Sequence, residues 1–92
     1  MRNLALLLPM LGLMAVSTAG FAQSSSALLQ GVKKNPGEAK AMCRGFRQLN
    51  EQGQSALSKA SIRALAQQRG LSFQDAEILA TYVIGLHCPD VR

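Results

Sequence analysis

The densest gathering of chemically capable side chains is the run His87-Cys88-Pro89-Asp90, close to the end of the 92-residue sequence. Imidazole, thiolate and carboxylate are all zinc ligands. The proline stiffens the segment, however, and no second ligand pair lies at finger-like spacing, so neither a metal site nor another cofactor is expected. His87 is the only histidine, and any Ser-His-Asp or Cys-His nucleophilic scheme would rest on it alone. No glycine-rich phosphate cradle, nucleophile elbow or paired-carboxylate motif accompanies it. Thiol chemistry has one argument for it, since Cys43 precedes Arg44 and Cys88 follows His87, and positive neighbours stabilise a thiolate. The wide separation of the two cysteines, with no Cys-x-x-Cys spacing, argues against it. No catalytic residue is assigned.

Cys43 and Cys88 are the only cysteines, so a single intramolecular pairing is open to them, with an intermolecular bridge as the alternative. Closing a loop of that length would stabilise the chain by about 4 kcal/mol on the chain-entropy estimate. A small domain needs such help, because it buries too little surface for its core to be secure alone.

Bond formation requires an oxidising compartment, and the start of the chain supplies a route to one. Arg2 is the only charge before Lys33, and Leu4 to Val16 is apolar apart from Pro9 and Gly12. The small residues Ser17, Thr18, Ala19, Gly20 and Ala22 follow. This is the pattern of a secretory signal over residues 1–22, cut after Ala22. The product is expected in the periplasm or outside the cell, with no stable membrane span after cleavage.

The elements that must position these residues are helical. Residues 23–35 open with three serines and hold few apolar side chains, enough for a short helix or an arm. Asn35 can cap a helix begun by Pro36, with Glu38 in capping-box position. Ala39, Met42, Cys43, Phe46 and Leu49 then make one apolar stripe that ends near Gly53. Ser55 can cap the next helix, whose inner side would hold Leu57, Ala60, Ile62, Ala64, Leu65 and Ala66 before Gly70 stops it. The short loop between these two helices predicts antiparallel packing. Ser72 and Asp75 start a last helix with Ala76, Leu79, Ala80, Val83 and Leu86 inside, and Pro89 ends it. Residues 36–92 thus read as one all-α domain, a compact array of three to four helices closed by one disulfide.

Two surfaces of this array are candidates for binding a partner. Beyond residue 22 the chain holds nine Lys and Arg against five Asp and Glu, and Lys40, Arg44 and Arg47 share one helical face beside Lys33-Lys34. Such a patch suits an anionic surface or an acidic envelope protein; without interleaved aromatic residues it does not suit nucleic acid. Pairing of Arg47 with Glu51 would make it an ordinary solvated face. The other surface is the apolar excess of the last helix, Ile78, Tyr82 and Ile84, which either meets a partner or second copy in a homodimer, or lies under Leu28, Leu29 and Val32.

A cysteine in a first helix, Gly53 with Ser55, Leu71-Ser72 with Ala76, and the closing Cys88-Pro89 together resemble the small exported helical domains of unknown function found chiefly in actinobacteria, over about residues 39 to 90. The resemblance implies a secreted helical domain with its two cysteines joined, and no catalytic residue to carry over. His87 stands where an aromatic residue commonly precedes the final cysteine, and the lead before Pro36 is shorter than in many members. In design, though not in motif, the chain is also similar to small periplasmic acid-stress chaperones. The leading expectation is an exported, non-enzymatic interaction or accessory module of the cell envelope. A stress holdase and a thiol-dependent or hydrolytic enzyme are the alternatives.

Overall fold

The computed structural model describes residues 24–92. Four helices follow in order: α1 (Ser25–Lys34), α2 (Pro36–Glu51), α3 (Lys59–Arg69) and α4 (Phe73–His87), with no strand among the described residues. Each boundary has a local cause. The Ser24 hydroxyl accepts from the Ala27 N–H to open α1, and Lys33 and Lys34 occupy its last turn, where cations complement the helix dipole. Pro36 bars its predecessor from helical dihedrals, so Asn35 sits at φ −125°, ψ 66° and separates α1 from α2 by a single residue.

Asn35 does not cap α2 through its side chain, as the sequence suggested. Its Nδ2 and its backbone N–H both donate to the Gly31 carbonyl, closing α1 instead. Glu38 is likewise drawn away from a capping box, to an ion pair with Arg69. At the far end of α2, Gly53 takes φ 80°, the Gln54 N–H reaches the Leu49 carbonyl and the Gly53 N–H that of Asn50, the paired bonds of a left-handed helix stop.

Helix α3 begins three residues later than expected. Ser58, not Ser55, caps it by accepting from the Ser61 N–H. The Ser55 carbonyl holds the Ser61 hydroxyl and its own hydroxyl accepts from the Leu57 N–H, so residues 55–58 form a turn before the helix. The shift changes the buried face: Ser61, Ile62, Leu65 and Ala66 go inside, whereas Leu57, Ala60 and Ala64 are exposed. Gly70 at φ 65° and Ser72, which accepts from the Asp75 N–H, make the tight turn into α4 as expected.

Helix α4 is the axis of the fold, and α1, α2 and α3 all pack on it. Ala76, Ala80 and Val83 are fully buried along it, two of them small enough to let neighbouring helices approach closely. Leu86, expected inside, is instead 51% exposed. Helix α1 joins the core through Leu28 and Val32. The predicted antiparallel pair fails: α2 and α3 barely touch, each drawing its burial from α4.

Candidate functional site

Beyond α4 the chain runs as a short strap beside α2. Three rungs join the two. Cys88 is bonded to Cys43, with their Cα atoms 6.1 Å apart. Asp90 meets Arg47 in a fork of two hydrogen bonds, at 2.9 and 3.1 Å. Arg92 gives its N–H to Asn50 Oδ1 and takes Asn50 Nδ2 on its carbonyl, which also accepts from the Ala56 N–H. Residues 88–91 form a turn, closed by the Val91 N–H donating to the Cys88 carbonyl, which carries Asp90 and Arg92 back along α2, where Cys43, Arg47 and Asn50 recur at helical spacing on one side. Val91, between rungs, is buried. The fork raises the Arg47 guanidinium above its ordinary pKa, chiefly by the hydrogen bond to Asp90 and then by its charge. It holds the Asp90 carboxyl below its ordinary value of 3.8, first through that same bond.

Of the three basic residues singled out on α2, the strap therefore takes one. Arg47 pairs with Asp90 and not with Glu51, while Lys40 and Arg44 are exposed and form no ion pair with any described residue. Lys33 and Lys34, also exposed, stand just across the Asn35 break.

The apolar excess on α4 is divided. Tyr82 and Ile84 pack in part against the core, and α1 lies on α4 with Leu28 and Val32 buried. Ile78 is half-buried and lines a shallow hollow with Ser25, Leu57, Thr81 and Tyr82. His87, half-buried, ends α4; with both sulfurs joined neither cysteine is a free thiol, and no three of His, Cys, Asp and Glu gather as metal ligands among the described residues.

Where α2 and α3 diverge they leave a cleft of about 450 Å³. Phe46 and Leu65 form its floor, Met42 and Leu49 one wall, and Ala60 and Ala64 the other, with Gln48, Gln54, Gln68 and Arg69 at the rim. The Glu38–Arg69 ion pair ties the two helices at one end. Asn50, bonded to the Gln54 carbonyl as well as to Arg92, fixes the loop at the other.

A small helical unit with two joined cysteines is what the family comparison also delimits, in a match that runs over residues 29–88 and takes in both sulfurs. The chain belongs to the DUF8664 family, a domain of unknown function. No curated protein and no solved structure matches it. The match begins inside α1, in keeping with the burial of Val32. The signal expected over residues 1–22 lies outside the described residues of this DUF8664 protein.

Asn50 and the cleft escaped the sequence reading. Asn50 falls among polar residues at a helix end, a common solvated pattern, and nothing local announces that Arg92 comes back to it. A signal for the cleft was present, in Ala41, Gly45, Ala60 and Ala64, residues too small to fill the space between two helices. A close antiparallel pair, as the short loop predicts, would leave no room for it.

Proposed function

We propose that this DUF8664 protein is an exported, non-enzymatic accessory module of the cell envelope that rests on an anionic surface through Lys33, Lys34, Lys40 and Arg44. One observation carries the reading. These four cations, at the end of α1 and along the first half of α2, are exposed and form no ion pair with any described residue, while Glu38, the carboxylate among them, is committed to Arg69 and Asp90 to Arg47. An anionic lipid surface attracts each such residue by about 1 kcal/mol, so four together suffice for reversible attachment. The disulfide and strap hold α2 in place while it engages, which limits the ordering that binding demands.

Co-sedimentation with vesicles tests the reading. The protein binds vesicles rich in phosphatidylglycerol, does not bind those of phosphatidylcholine alone, and releases as salt is raised. Lys40→Glu with Arg44→Glu weakens attachment by about thirtyfold or more. Equal binding to both vesicle types, or a variant that binds as the parent does, defeats it.

A further inference from the structure

The cleft between α2 and α3 plays no part in that reading, and its construction is specific. It is braced at both ends, by Glu38–Arg69 and by the Asn50–Gln54–Arg92 cluster, and both helices are seated on α4. Side chains along its walls are short: Ala41, Gly45, Ala60 and Ala64 are all exposed, and a Cβ added at Gly45 would meet nothing within 4 Å. Beneath them Phe46 and Leu65 are buried, and Met42 and Leu49 half-buried.

Shape narrows the occupant. Met42 and Leu49 stand two turns apart on α2, about 10 Å of helix rise. A single polymethylene chain laid along that length would cover Phe46 and Leu65 and meet Met42 and Leu49. The volume also falls in the range of small-molecule sites, about 300–1,000 Å³.

Charge narrows it further. Arg69 lines the cleft at its braced end. Arg44 is one turn from Ala41 and Gln48, and Arg63 one turn from Ala60, so cations border both helices. The carboxylate at this end, Glu38, already engages Arg69. We propose that the cleft binds a single-chain anionic amphiphile of the fatty-carboxylate class, its chain lying over Phe46 and Leu65 and its carboxylate taken by Arg69 in exchange for Glu38. Arginine offers a carboxylate two parallel N–H donors, and the exchange replaces one carboxylate by another without loss of charge pairing.

Titration calorimetry of the purified full protein with dodecanoate, below its micelle-forming concentration, tests this, with dodecyltrimethylammonium as the same chain bearing the opposite charge. Dodecanoate binds saturably at one site and perturbs the Met42 and Leu49 methyl resonances; the cation binds at least tenfold more weakly. Ala64→Trp, placed at an exposed position, fills the trough and abolishes binding while the helical circular dichroism is kept. Arg69→Gln weakens binding about tenfold, and Glu38→Gln, which frees the guanidinium, tightens it severalfold. Both of these variants break the same ion pair, so a merely structural effect moves them in the same direction. That result, equal affinity for the cationic amphiphile, or undiminished binding to Ala64→Trp overturns the proposal. So does a solution dimer that Ala64→Trp dissociates, which would give the cleft to a second copy. Vesicle attachment through Lys40 and Arg44 is read in a separate assay, and either proposal can fail without the other.

Discussion

Asn50 and Asp90 carry more of the architecture than their types suggest. Asn50 satisfies the Gln54 carbonyl and both backbone groups of Arg92, which no other side chain present at that end of α2 does. Asn50→Ala is expected to cost about 1–2 kcal/mol, as several partly solvated hydrogen bonds are lost together, and thermal unfolding followed by circular dichroism measures it. Asp90 contributes through its ionised form. Its carboxyl is depressed in the folded protein, so the stability it adds is fully present above its ordinary value of 3.8 and is lost as the pH falls through the lower folded value. Acid titration of the parent and of Asp90→Asn checks this: below about pH 4 the two unfolding curves converge, and above it the parent is the more stable. A larger gap at low pH than at neutral pH would contradict the assignment. Both residues were only half legible in the sequence. The basic stripe of Lys40, Arg44 and Arg47 could be read from helical spacing, but the partner of Arg47 arrives from 43 positions along the chain, and no local rule sees so far.

At the scale of elements, chain punctuation was far easier to read than packing. Pro36, Gly53, Gly70, Ser72 and Pro89 mark boundaries by restricting dihedrals or supplying a cap, effects confined to a few neighbouring residues. Each of the four helices starts or stops where one of these residues dictates. The exception in detail is the start of α3, where three nearby serines, Ser55, Ser58 and Ser61, compete through their hydroxyls to cap one helix, and the winner is set by the Ser55 carbonyl's bond to Ser61. Packing between elements needs information that periodicity lacks. Leu28, Leu29 and Val32 read equally well as an arm or a core strip, and the outcome depends on α4 having apolar surface left over. Truncation distinguishes the two sides of α1. Leu28→Ala is expected to cost about 2–3 kcal/mol, whereas Leu29→Ala, half-buried, costs under about 1 kcal/mol. Equal, small effects in chemical denaturation would mean that α1 is dispensable to the fold.

Taken whole, the molecule is a short chain whose two ends of the α2–α4 unit are locked by one covalent bond and two polar rungs in series. The order along the strap matters. Cys88 is fully buried and lies first after α4, so the disulfide sets the distance at which Asp90 and Arg92 then meet Arg47 and Asn50. With the bond broken, each of those partly solvated contacts must close a long loop unaided, and neither is strong enough alone to offset that entropy. Replacing both cysteines by alanine is therefore expected to remove about 4 kcal/mol, against a total stability that for roughly 70 residues is about 4–10 kcal/mol. Differential scanning calorimetry should register a fall in Tm of roughly 20 °C, given the several degrees per kcal/mol usual for a domain of this size. Hydrogen exchange supplies the second reading. Because the Ala56 N–H is held by Arg92, its protection should vanish together with that of Val91 in the alanine variant, before the amides of α4 are affected. If Ala56 stays as protected as in the parent, the rungs do not act in series and the bond is an ornament on a fold that the helices alone maintain.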